Sequence, residues 1–169
     1  MSKTVLFFRH AKSDWNANYL RDHDRPLNSR GKRAAGAMGR WLVQFGPLPE
    51  LILCSTATRA RSTYTLASKA GAWTSDVQYE RELYHAMPQD LLHYLQEIPG
   101  DIQTVMLIGH QPTWSMTVAL LSNQSIDEFP TASMARVDLQ IDHWEHSVPR
   151  AGKLVWHQFP KRLAMSFYE

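Results

Sequence analysis

Three short apolar runs punctuate the first two-thirds of the chain: TVLFF (4–8), LILCS (51–55) and VMLIG (105–109). None alternates with polar residues, which is the pattern of strands covered on both faces in a parallel sheet. Each gives way to a polar cluster and then to a helical periodicity. After the first run, Ala34, Met38, Trp41, Leu42 and Phe45 recur at three- and four-residue spacing, with Asn28 or Ser29 available as the cap. After the second, the pattern ends at Gly71, a natural C-terminal stop. After the third, Pro112 suits the first position of a helix through TWSMTVALLS. The segment PQDLLHYLQEI (88–98) reads as one more amphipathic helix.

Later segments change character. In SMARVDLQI (133–141), Ala135, Val137, Leu139 and Ile141 alternate with Met134, Arg136, Asp138 and Gln140, and KLVWHQF (153–159) is placed to pair with it. An antiparallel hairpin at the sheet edge is expected. The whole pattern predicts an α/β fold: a three-layer α/β/α sandwich whose central sheet is mostly parallel with an antiparallel edge, formed as one domain over residues 1–169.

Composition narrows the function. At 169 residues and 44% apolar content, the chain suffices for one well-filled core. A formal charge of only +2 provides no field for nucleic acid or a membrane surface, so any charge that matters is local. Cys54 is the only cysteine, which fits a reducing, cytoplasmic setting. The first apolar run stops at Phe8, short of a signal-peptide core, and no segment approaches the roughly 20 apolar residues of a membrane span.

In open α/β sheets, ligands bind beyond the carboxyl ends of the strands. That edge offers Arg9 and His10 after the first run, Ser55 and Arg59 after the second, and His110 after the third. A single histidine at such a place is ordinarily a hydrogen-bonded structural residue. Three strands delivering two arginines and two histidines to one edge is a different matter. Arg59 falls at a helix start, where the backbone dipole is already positive, so the cation is misplaced unless an anion joins it. A phosphoryl group meets that need, accepting forked bonds from both guanidiniums. His10, with a reference pKa of about 6.5, would be the nucleophile. His110, protonated, would join Arg9 and Arg59 around the transition state.

Rival chemistries are less well served. Four residues separate Cys54 from Arg59, one fewer than the phosphate loop of cysteine phosphatases carries, and the thiol ends an apolar run. His143 with His146, and His23 between two aspartates, form no complete ligand set at zinc spacing. Arg61, two positions beyond Arg59, is expected at the surface. Trp15 could pack or could stand at the pocket rim, and Asp22, Asp24 and Arg25 are candidates for the crevice border.

The segments RHAKSDWN, STATRARST and MLIGHQP, with DHDRPLNSRGKRAAGAMGRWL and FPTASMARVDL, resemble the histidine phosphatase (phosphoglycerate mutase-like) superfamily, above all its SixA-type phosphohistidine phosphatases. The resemblance implies a phosphatase with a covalent phosphohistidine at His10, a phosphate pocket of Arg9, Arg59 and His110, and no metal or other cofactor. It places Asn16 and Ser55 near that pocket as substrate-binding residues. Two departures stand out: Ala11 replaces the usual glycine, and the chain is too short for the insertion that gives larger relatives a lid and a carboxylic acid. In YERELYHAMPQD (79–90), Glu80, Glu82 and His85 are candidate general acids, Glu82 first among them. Without an acid an alkoxide leaves poorly, which favours a phosphohistidine protein as partner over small phosphorylated molecules. The alternatives are a phosphatase or mutase of small phosphoesters, or a phosphate-binding module without turnover.

Overall fold

The computed structural model describes residues 2–169. Its strands are β1 (Lys3–Arg9), β2 (Leu51–Ser55), β3 (Asp76–Glu80), β4 (Thr104–Gly109), β5 (Met134–Leu139) and β6 (Gly152–Gln158). The α-helices are α1 (Ser29–Phe45), α2 (Thr58–Gly71), α3 (Pro88–Gln96) and α4 (Thr113–Ser122). All six strands join one sheet in the order β3-β2-β4-β1-β5-β6. The first four are mutually parallel; β5 runs antiparallel to β1, and β6 antiparallel to β5. The expected fold class, with its antiparallel edge, is the one observed.

Continuous burial explains why the parallel strands lack polar alternation. Leu6, Phe8, Ile52, Met106 and Ile108 pack with residues of α1 and α2 on one face. Val5, Phe7, Leu53, Leu107 and Val105 pack with Leu91, Leu95, Trp114 and Val118 of α3 and α4 on the other. Both faces being apolar, a strand between them has no position where a polar side chain would reach water.

Two features depart from the periodicity. Phe45, counted in the buried stripe of α1, is 54% exposed and stacks on Trp41 with ring centroids 5.0 Å apart. The buried face of α1 instead includes Gly36, Ala37 and Gly39. A Cβ at Gly39 would run into the Ala67 backbone, so only glycine lets α1 and α2 approach this closely. The second is β3, which no apolar run announces. It is an edge strand paired only with β2, and much of it is exposed, so no hydrophobic signal was required of it. No helix of the described residues is long and apolar enough to cross a membrane.

Candidate active site

Register assembles the site. Arg9 of β1 pairs with Gly109 of β4, which sets His10 and His110 as successors on neighbouring strands. The His10 amide donates to the Gly109 carbonyl at 3.0 Å, and the two imidazole centroids lie 5.3 Å apart. Gly109 is needed there because a Cβ would overlap the Trp114 indole, which is fully buried and donates to Leu107 O at 2.9 Å. On the far side of β4, Cys54 pairs with Ile108, so that Ser55 ends β2 one residue short of the level of the histidines.

A cavity of about 430 Å³ opens over these strand ends, with Arg9, His10, Arg59 and His110 in its wall. Three of these side chains are tied down by bonds that also fix their chemistry. His10 Nδ1 lies 2.7 Å from Ala11 O, a carbonyl that can only accept, so Nδ1 carries the proton and Nε2 keeps its lone pair. Ser55 Oγ accepts from the Ala57 amide at 3.2 Å and lies 2.8 Å from His110 Nε2. The hydroxyl can donate to that nitrogen or accept from it, and when it donates, the N–H of His110 lies at Nδ1. Arg9 donates to Phe129 O at 2.9 Å. Thr63 ties the strand loop to α2: its hydroxyl accepts from the Ala11 amide at 2.9 Å and donates to Arg59 O at 2.7 Å. The Nε atoms of Arg9 and Arg59 are buried with no hydrogen-bond partner among the described residues. An anion in the cavity would be a suitable acceptor for donors of this kind.

Electrostatics sets the protonation states. Burial, then the charges of Arg59, Arg9 and Arg25, push the His10 pKa down to about 3, against a smaller opposing effect of the Ala11 bond. Burial and then His10 and Arg59 lower that of His110 as well. Both rings are therefore neutral at pH 7. His10 thus departs from the reference value the sequence suggests, and a bound dianion is what would draw a proton back to either ring, as a protonated His110 at the transition state requires. Cys54 is fully buried, its thiol pKa is raised by that burial, and it is absent from the cavity wall.

The remaining expected residues are distributed unevenly. Ser55 supports His110 from beneath and does not line the cavity. Asn16 is exposed, its amide donating to Asp14 Oδ1 at 2.9 Å, and it too is outside the wall. Glu82 lies in a neighbouring depression with Asp90 and Glu97; of the three candidate acids, only His85 reaches the cavity. Trp15 does stand at the rim, 68% exposed, with the Arg25 guanidinium 3.6 Å from its ring centre. Arg61 is exposed and lies over Tyr79. Among the described residues, no three His, Cys, Asp or Glu side chains are grouped to hold a metal ion.

Of the expected border residues Asp22 and Arg25 line the wall and Asp24 does not, while Tyr84 joins it with no signal of its own in the sequence. Arg25 follows a short 3-10 turn (Asp22–Asp24), is almost fully buried, and donates to Ser13 Oγ at 2.8 Å and to Asp22 Oδ1. Tyr84, from a 3-10 turn at Arg81–His85, donates to Asp22 Oδ2 at 2.5 Å and meets His110 edge-on at 5.4 Å. Asp22 also accepts from Arg59 Nη2 at 3.0 Å. Burial alone would raise its pKa, but the Tyr84 bond and the Arg59 charge outweigh this and hold it at about 2. Asp22 is the one carboxylate among the described residues of the wall, and it is ionised.

Comparison with known proteins places this geometry. The family profile described as histidine phosphatase superfamily (branch 1) matches residues 5–87. An uncharacterized protein of Mycobacterium tuberculosis is 33% identical over 163 residues, covering 90% of this chain and 99% of that one. A protein from Nakamurella multipartitia designated phosphohistidine phosphatase SixA superposes with a TM-score of 0.83 at 28% identity, over 95% of this chain and 97% of that one. The protein histidine phosphatase SixA complexed with tungstate gives a TM-score of 0.82 at 25% identity, over 95% and 99%.

Proposed function

The chain belongs to the histidine phosphatase superfamily, with SixA-type phosphatases among its relatives in structure, and from that premise we propose that it is a cytoplasmic phosphatase of protein phosphohistidine using His10 as nucleophile. His10 Nε2 attacks phosphorus, and the P–N bond of the substrate breaks with its electron pair passing to the departing imidazole. Water then attacks the phosphoryl group on His10, the new P–N bond breaks, and orthophosphate leaves. Arg9, Arg25, Arg59 and the His110 N–H surround the equatorial oxygens as charge develops, which is where such sites gain most of their rate.

The observation that carries the choice of substrate is the state of the wall's carboxylate. Asp22 is ionised and fully engaged by cations and a phenol, so it has no proton to give a leaving group. A departing alkoxide would therefore find no carboxylic acid in the wall to protonate it. An imidazole protonated by solvent at its free nitrogen departs neutral and has no such need. The test is a panel of a phosphohistidine protein, phosphoramidate and a sugar phosphate. The first two should exceed the alkyl ester in kcat/KM by at least about 10²-fold, the lower end of what a general acid contributes. Equal turnover of the alkyl ester would support a small-molecule phosphatase instead, and uptake without turnover would support a binding module.

A further inference from the structure

We propose that Asp22 is a resident anion of the phosphoryl site: its carboxylate holds the guanidiniums of Arg25 and Arg59, yields them to an incoming phosphoryl group, and retakes them as orthophosphate leaves. The inference rests on the phosphoryl-binding reading of the cavity and adds to it a determinant of which anions stay bound.

Arg59 sits in the first turn of α2, and Ala57, at the cap, makes no side-chain capping bond. A cation there calls for an anion. Asp22 supplies one. Arg59 Nη1 donates to Asp22 O at 2.8 Å and Nη2 to Asp22 Oδ2 at 3.0 Å, so both terminal nitrogens of the fork end on one residue. Arg25 Nη1 binds the other carboxylate oxygen, and the Tyr84 hydroxyl shares Oδ2. Arg9 alone among the cavity arginines has no bond to Asp22. A phosphoryl group that draws forked bonds from Arg25 and Arg59 competes for the terminal nitrogens that this carboxylate occupies, beyond the unpartnered Nε of Arg59.

The exchange is feasible because the Asp22 side chain is 51% exposed and sits on a turn of only three residues, so water can solvate the carboxylate once it lets go. A phosphoryl dianion brings more charge and three acceptor oxygens, which favours it over the carboxylate. Singly charged anions lack that advantage. Because Asp22 is tethered, it competes at a high effective concentration, and this weakens retention of the product.

Calorimetric titration of orthophosphate and tungstate into wild type, Asp22→Asn and Tyr84→Phe tests the idea, with thermal melting to establish that each variant folds. Asp22→Asn should bind both anions about tenfold more tightly. Tyr84→Phe, which removes one of the carboxylate's partners and leaves the arginines intact, should tighten binding by a smaller factor. Unchanged or weaker binding in Asp22→Asn would overturn the proposal and make Asp22 a positioning residue for Arg59. Anion binding by none of the three proteins would overturn the phosphoryl site itself, a separate failure from that of the resident anion.

Discussion

His10 is held by its surroundings in the state a nucleophile needs: Nδ1 committed to a carbonyl, Nε2 unprotonated, and a folded pKa far below neutrality. Because kcat/KM reports ionisations of the free enzyme, no acid limb from His10 should appear near pH 6.5. Corrected for the substrate's own ionisation, kcat/KM should vary by no more than about twofold between pH 7 and 5. A sigmoidal loss centred near 6.5 would mean that His10 titrates as an exposed imidazole. Arg59 differs from a simple anchor, since the charge on the oxygens grows on the way to the transition state. Arg59→Ala should lower kcat by about 10²–10³-fold with a smaller effect on KM, as for removal of an oxyanion donor. A rise in KM at unchanged kcat would assign it to ground-state binding only. At this scale the strand-end residues were legible because a strand that stops in Arg-His or Gly-His announces where its side chains go. Tyr84 was not, because a turn delivers it to the cavity and no periodicity constrains where a turn leads. Glu82 failed to reach it for the same reason.

Secondary-structure elements matter here through how closely they pack. The β4–α4 connection places His110 between Gly109 and a helix whose Trp114 fills the space a Cβ would need. Gly109→Ala therefore forces either the indole or the strand to shift, at a cost of about 1–3 kcal/mol. It should lower the urea midpoint and also reduce turnover, since the displaced backbone is the one that carries His110. A variant as stable as wild type would show that the packing around Trp114 is looser than described. The buried parallel strands and the amphipathic helices could be read directly from apolar spacing. The edge strand β3 could not, because half-exposed edges bury too little to leave a pattern. The glycine-rich contact of α1 with α2 escaped for a different reason: small residues at an interface carry a weak hydrophobic signal, whereas Phe45, with a strong one, lies half outside.

For the molecule as a whole, burying histidines neutral makes stability depend on pH. His10, His110 and His157 all have lowered pKa values, each through burial first. In the unfolded chain they titrate near 6.5, so between that value and their folded values the unfolded state binds more protons. Their contribution is fully present above about 6.5 and is lost as pH falls toward the folded pKa values, with a limiting slope of about 1.4 kcal/mol per pH unit for each fully buried ring. Urea midpoints should fall between pH 7 and 5. Tungstate should reduce the fall, because an anion beside His10 and His110 favours their protonated forms. A midpoint that is constant or rises on acidification would contradict the burial of these rings.

The most direct measurement of the central claim is to trap the intermediate. Wild type mixed with a radiolabelled phosphohistidine protein would be quenched within milliseconds in alkaline denaturant, where a phosphoimidazole survives, and the labelled peptide mapped. The account predicts a burst of label on His10 that decays as orthophosphate appears, and no label in His10→Ala. Turnover without label on His10, or label on Cys54 or His110 in its place, would contradict it.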